Sequence, residues 1–206
     1  MAKIIHLVGP SGTGKTSVHK ALTPLLQGIG YEVVPLVEPG PLREQIKEYK
    51  KSPHRNPYTE ALLFAADRSL LYAQDVLPRL HEPNVLFTFA RGLPDSVVYQ
   101  GMMQGLTSKV VLNLNQGIPP SDVYIALVVY GNEGHRRIVE RSTQTGQPIS
   151  PNETPEAINR LTQHYYSLNS HFPTLKIIDT TSCSLEEVTQ QCFAHILAEI
   201  KDRRSQ

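Results

Sequence analysis

The stretch Gly9-Pro10-Ser11-Gly12-Thr13-Gly14-Lys15-Thr16 fits the pattern G-x-x-x-x-G-K-[ST] and constrains the chain more than any other feature. Ahead of it, Lys3-Ile4-Ile5-His6-Leu7-Val8 reads as a buried strand. Behind it, Val18, Ala21, Leu22, Leu25 and Leu26 fall on one face of a helix. A strand, a glycine loop and a helix in that order form a cradle for phosphate. Glycines let successive N–H groups turn inward, and the helix N-terminus adds partial positive charge. Gly9 to Thr16 are therefore the candidate nucleotide-binding residues: Lys15 to reach the β and γ phosphates, and Thr16 to offer its hydroxyl to Mg²⁺. The competing reading is a glycine-rich turn ahead of an ordinary helix, which leaves the preceding strand unexplained.

At 206 residues, with no repeat and no low-complexity linker, the chain suits one α/β domain over 1–206. The formal net charge is +1, with Lys and Arg spread along the chain, which argues against nucleic acid as a partner. Lys201, Asp202, Arg203 and Arg204 form the one terminal charged cluster, explained equally by a solvated helix end. The first residues lack the apolar core and cleavage site of a signal peptide, and no apolar run is long enough for a bilayer. The expectation is a soluble cytoplasmic protein without a membrane partner. Cys183 and Cys192 fit no zinc or redox spacing and read as idle thiols.

Apolar β-branched runs alternate with helical patterns, the signature of a parallel sheet covered on both faces. Strands are expected near 3–8, 31–37, 84–89, 122–129 and 174–179, and helices near 15–28, 41–50, 57–79, 94–104, 133–142, 154–169 and 184–201. The fold class is thus a P-loop NTPase three-layer sandwich with a five-stranded parallel sheet flanked by helices. In such sheets ligands lie beyond the carboxyl ends of the strands. There Arg91 stands out, either as a paired hydrogen-bond donor to phosphate or as a surface ion pair. The polar segment 141–155, with Gly146, Pro148, Pro151 and Pro155, reads either as a lid over the phosphates or as an ordinary surface loop. Arg137 and Arg141 lead into it on one helical face, within reach of phosphates or a nucleotide base.

With the loop, Glu38-Pro39-Gly40, Phe64-Ala65-Ala66-Asp67-Arg68, Arg91 and Tyr99-Gln100-Gly101 in order, the chain resembles thymidylate kinases over nearly its full length. The resemblance implies ATP and Mg²⁺ as cofactors, phosphoryl transfer to dTMP or a related nucleoside monophosphate, and a homodimer. It implies catalytic roles for Lys15 and Arg91 and a substrate-binding set of Glu38, Phe64, Arg68, Arg91 and Tyr99. Phe64 would stack on the acceptor base, Arg68 would bond its carbonyl edge, Arg91 would hold its phosphate, and Tyr99 would crowd a ribose 2′-hydroxyl. Each has a structural competitor, a core or surface side chain, and the ordered set favours the functional reading. The loop spelling is also similar to that of guanylate kinases, whose remaining pattern does not follow.

The departures are specific. Thymidylate kinases usually carry an acid where this chain has Ser11, an Asp where it has Ala90, and an Arg where it has Val37, and they have a longer turn after Glu-Pro-Gly. The segment 142–155 also contains no arginine. Phosphoryl transfer depends on placing and neutralising charge, so each absence bears on catalysis. Arg43 and Arg141 are the candidates to supply the missing cations. Two alternatives remain: a kinase for another small phosphorylated acceptor, and a nucleotide-binding module impaired in catalysis.

Overall fold

The computed structural model describes residues 1–202, with side chains described up to residue 200; the side chains of the terminal cluster Lys201, Asp202, Arg203 and Arg204 lie outside the described residues. Five strands, β1 (Lys3–Val8), β2 (Glu32–Val37), β3 (Val85–Ala90), β4 (Val123–Val128) and β5 (Leu175–Asp179), form one sheet in the order β2-β3-β1-β4-β5. Every pairing is parallel. β3 is buried at every position, as a strand covered on both faces requires, whereas β2 at the sheet edge alternates between exposed and covered residues. That edge position accommodates Pro35, which has no N–H to give a second neighbour.

On one face lie α1 (Lys15–Gly28) and α8 (Leu185–Asp202). Val18, Leu22 and Leu26 of α1 and Val188, Cys192 and Ile196 of α8 pack with Ile5, Leu7, Ile125 and Leu127 of the sheet. Full burial of each such side chain contributes about 1.5–3 kcal/mol. The opposite face is covered by α3 (Pro57–Leu71), by the segment after β3, and by α7 (Pro155–Tyr166), whose Leu161 and Tyr165 meet Val97, Val98, Ala126 and Val128. The expected three layers are present.

Element boundaries follow the expected ones closely, with three corrections. The helix expected at 57–79 is α3 followed by a π-helical turn at Tyr72–Val76 and a 3₁₀ turn at Leu77–Arg79; Pro78 lacks the N–H that would continue an α-helix. The helix expected at 94–104 is a short α4 (Leu93–Ser96) that widens into a π-helical stretch over Val97–Met103, and this stretch carries Tyr99 and Gln100. The stretch expected to end at 142 is α6 (Gly131–Thr145), closed by Gly146 at φ 68°. A short α5 (Ser108–Asn113), capped by the Thr107 side chain, was not expected.

Two of the ordered sequence motifs meet each other. Arg68 of α3 donates from Nε and Nη2 to Glu38, at the end of β2, and this ion pair is buried, with 1% and 3% of the two side chains exposed. Its Nη1 donates to Asn115 Oδ1 and its Nη2 also reaches Ser96 Oγ at 3.1 Å. Beside it, Asp67 accepts from Gly40 N at 2.8 Å and Leu42 N at 2.7 Å. One dipeptide of α3 thus holds the turn that leads into α2 (Arg43–Tyr49).

Deleting one member of a buried ion pair leaves the other charge uncompensated, at a cost of about 3–5 kcal/mol. Arg68→Ala is therefore expected to lower the urea midpoint sharply, and Arg68→Met with Glu38→Gln to recover most of the loss. Equal midpoints for wild type and Arg68→Ala would show that the pair does not hold α3 to the turn.

Candidate active site

The glycines of the phosphate loop are fixed by geometry as well as by composition. Gly9, Gly12 and Gly14 have φ of 137°, 83° and 82°. A Cβ at Gly9 would lie 2.0 Å from Leu127 O, and one at Gly12 would lie 2.5 Å from Gly134 O. The loop is wedged between β4 and α6 and leads into α1. Lys15 is buried, and its Nζ donates to Pro10 O and, at 3.3 Å, to Thr13 Oγ1. Burial first, and then the positive charges of Arg91 and Arg141, push its pKa down to about 7, against the opposing pull of Asp95 and Glu153. Thr16, at the first turn of α1, is exposed to solvent.

A cavity of about 720 Å³ opens beside the loop and is lined by Ser11, Glu38, Phe64, Arg68, Arg91 and Tyr99, among others. The residues expected to bind the acceptor are thus brought together along one wall. Arg91 takes a positive φ of 85° while its N–H donates to Leu7 O, which ties the end of β3 to β1. Its side chain is hydrogen-bonded to Tyr99. Arg137 is held by Glu133 at 2.7 Å and by Thr180 O at 2.8 Å, and its Nη1 approaches Gly12 O at 3.5 Å. Arg141 pairs with Glu153 at 3.1 Å. Arg137 and Arg141 lie on the face of α6 that looks toward the loop.

Two residues in the acceptor wall are engaged in ways the sequence did not indicate. Arg68 has five N–H donors, and its bonds to Glu38, Asn115 and Ser96 leave one free on Nη1. Phe64 carries the Lys50 ammonium 5.0 Å from its ring centroid, so a base stacking on that face displaces Lys50. Lys50 and Arg55 in turn face Glu60, which is buried, at 3.6 and 2.8 Å, and Glu60 also accepts from Gln100 Nε2 at 3.0 Å.

Ser11 and Ala90 leave the loop and the strand end without acids, yet two carboxylates reach the same cavity from elsewhere. Glu153 comes from the single 3₁₀ turn Pro151–Glu153 ahead of α7. Its Oε2 accepts from Ser150 N at 2.8 Å, and with Ser11 and Arg141 this holds its carboxyl below the usual range despite partial burial. Asp95 of α4 accepts from Gly9 N at 3.1 Å, Gly92 N at 2.9 Å and the Tyr165 hydroxyl. Asp95 had a sequence signal in its position, third in a short helix opened by Gly92 and Pro94, where a carboxylate caps free N–H groups. Glu153 had none, because only the fold brings it to Ser11.

The residues fit the nucleotide and the cation implied by the loop. Lys15 lies near enough to Arg91, Asp95 and Glu153 for their charges to interact, those three line the cavity beside Ser11, and Thr16, exposed in the first turn of α1, offers the kind of hard oxygen that Mg²⁺ prefers. Among the described residues no helix is long and apolar enough to cross a membrane.

A family model described as thymidylate kinase matches residues 8–192. The fold is similar to that of a crystal structure of thymidylate kinase from Ehrlichia chaffeensis, with a TM-score of 0.70 at 20% identity, over 95% of this chain and 98% of that one.

Because Lys15 is depressed to about 7, it is largely neutral in the free protein at pH 8 and charged at pH 6. Bound phosphates favour its charged form, so ATP binding at pH 8 is expected to take up protons. Calorimetric titration at pH 8 in two buffers of different ionisation enthalpy reads this uptake, and Lys15→Arg, permanently charged, should abolish it. Identical enthalpies in both buffers for the wild type would show that Lys15 is already protonated.

Proposed function

The chain belongs to the thymidylate kinase family, and from that premise we propose that it transfers the γ-phosphoryl group of ATP to the phosphate of dTMP or a closely related nucleoside monophosphate. At the coarser level it is a nucleoside monophosphate kinase of thymidylate kinase type, a phosphotransferase that binds nucleotides. The observation that carries the finer reading is the cavity that Ser11 of the phosphate loop shares with Arg91, Phe64, Arg68 and Tyr99, with Arg91 close enough to Lys15 for their charges to interact.

In this reading an acceptor phosphate oxygen forms a bond to the γ-phosphorus as the bridging bond to ADP breaks. The protein contributes position and electrostatics rather than covalent chemistry. The loop amides and Lys15 hold the donor phosphates, and Arg91, fixed by its backbone bond to Leu7 and by Tyr99, orients the acceptor phosphate. Thr16 would hold Mg²⁺ through its hydroxyl, and the cation would supply charge neutralisation to the donor phosphates. Arg137 and Arg141 stand on the nucleotide side. Glu38 acts through Arg68, which it holds in place, and the free Nη1 hydrogen of Arg68 is the donor left for a base carbonyl. The segment 141–155 acts as a lid, fastened in the free protein by Arg141 and by His135, whose Nδ1 lies 2.7 Å from Glu153 O. A single kinase domain over 1–206 in the cytoplasm completes the reading.

The homodimer expected from the family finds a surface on α3. Tyr58, Leu62 and Leu70 recur at helical spacing on one face, with 50%, 42% and 37% of each exposed. Sedimentation equilibrium should give twice the monomer mass, and Leu62→Glu should shift it to the monomer; a wild-type monomer at micromolar concentration would remove the dimer from the reading.

The assay for the reaction is ADP formation from ATP and Mg²⁺ against a panel of nucleoside monophosphates, with Lys15→Ala as the control. Turnover that depends on dTMP and falls about 10²-fold or more in the control is expected. Preference for another monophosphate would reassign the acceptor. Retained ATP binding without turnover on any acceptor would overturn the kinase reading in favour of a non-catalytic module.

A further inference from the structure

Asp95 occupies a position that the sequence motifs pass over, between Arg91 and Tyr99. It is buried, with 6% of its surface exposed, and its three hydrogen-bond partners come from different parts of the site. Oδ1 accepts the N–H of Gly9, the first residue of the phosphate loop, at 3.1 Å. Oδ2 accepts the N–H of Gly92, immediately after Arg91, at 2.9 Å. The hydroxyl of Tyr165, a fully buried side chain of α7, donates to Oδ1. One carboxylate therefore joins the donor-side loop, the acceptor-side loop and the helix that follows the lid segment.

Its charge is placed as distinctively as its bonds. Lys15 and Arg91, one on each side of the transfer path, both feel the negative charge of Asp95. The strand end itself has Ala90, so the first acid after β3 that faces this space is Asp95 of α4. Gly92 cannot take over any of this with a side chain of its own, because a Cβ there would lie 2.4 Å from the His6 ring.

We propose that Asp95 is a positioning residue for phosphoryl transfer, setting the distance between donor and acceptor phosphates by holding Gly9 and Gly92 to a single carboxylate and separating the charges of Lys15 and Arg91. The residue does not touch the transferred group; it acts through the two loops that do. In-line transfer between two bound anions is sensitive to such spacing, since a displacement of about 1 Å can cost about 10²-fold in rate. Each loop retains its own anchoring elements, β1 and α1 for the phosphate loop and the Arg91–Leu7 bond for the arginine loop, so each substrate binds nearly normally when the link is cut.

This inference rests on the kinase reading, and the experiment separates the two. Wild type, Asp95→Asn and Asp95→Glu are compared for folding by thermal denaturation, for ATP affinity by calorimetry, and for kcat and both KM values with the acceptor that the panel identifies. Asp95→Asn keeps the size of the side chain but offers an N–H₂ group to one of two backbone N–H donors. Its kcat should fall about 10²-fold while ATP affinity and both KM values stay within about threefold, and Asp95→Glu, which keeps the charge, should recover part of the loss. A folded Asp95→Asn with kcat within about threefold of wild type would overturn the inference and leave the kinase reading intact. So would a loss of ATP affinity as large as the loss of kcat, which would make Asp95 a binding residue only. If Asp95→Asn does not fold, Tyr165→Phe replaces it, deleting one anchor of the carboxylate and keeping the buried ring; a drop in kcat of several-fold at unchanged ATP affinity supports the inference and unchanged kcat overturns it. Absence of acceptor-dependent turnover in the wild type would remove both readings together.

Discussion

The buried ion pair between Arg68 and Glu38 is the constraint on which the acceptor side of this protein depends. An isolated charge in that position would be unfavourable by several kcal/mol, so each partner makes the other tolerable. Because Glu38 directly follows β2 and Arg68 sits in the last turn of α3, the pair fixes the helix to the sheet edge. Asp67, with its bonds to the amides of Gly40 and Leu42, extends the same clamp to the start of α2. Glu60, Phe64 and Arg68 then recur at four-residue spacing along α3 and present one face to the cavity. The motifs Glu-Pro-Gly and Asp-Arg, which as sequence look like two independent contacts to a ligand, are first of all contacts to each other.

This dual use explains which parts of the site could be read in advance. The phosphate loop was legible because its chemistry is local: strand, glycines, lysine and helix are contiguous, and the positive φ angles of Gly9, Gly12 and Gly14 follow from the spacing. The strands were legible because central parallel strands are apolar throughout and their boundaries coincide with turn residues. α5 was missed because six residues carry too little periodicity to register. The π-helical stretch at Val97–Met103 was missed because widening of a helix is a response to packing, here against α7 and α5, and leaves no compositional trace. The absence of acids at positions 11 and 90 was correctly read, but its consequence could not be, since Glu153 lies far from Ser11 in the chain and meets it only through the return from α6 to α7.

Electrostatically, the cavity is organised by alternation. Lys15 and Arg91 both interact with the negative charge of Asp95, and Glu153 adds a second negative charge on the side of Ser11, balanced by Arg141. In the free protein this arrangement offsets the mutual repulsion of cations that have been gathered to meet phosphate, and burial keeps Lys15 close to neutrality. In the proposed reaction, anionic phosphates would stabilise the charged form of Lys15 and compete with Glu153 for Arg141.

The two carboxylates are anchored by different elements. Asp95 lies in a layer packed between the sheet and α7, with its partners on Gly9, Gly92 and Tyr165, so it moves only if the core moves. Glu153 sits on a short turn bounded by Pro151 and Pro155, held chiefly by one exposed arginine and by its own cap at Ser150. A carboxylate fixed in the phosphate loop itself would have to serve both the empty and the filled state from one position. The two acids near Lys15 are thus held in different ways, one by the core and one by a short surface turn. With Ser11 and Ala90 in place of acids, the negative charge near Lys15 and Arg91 comes instead from Asp95 and Glu153.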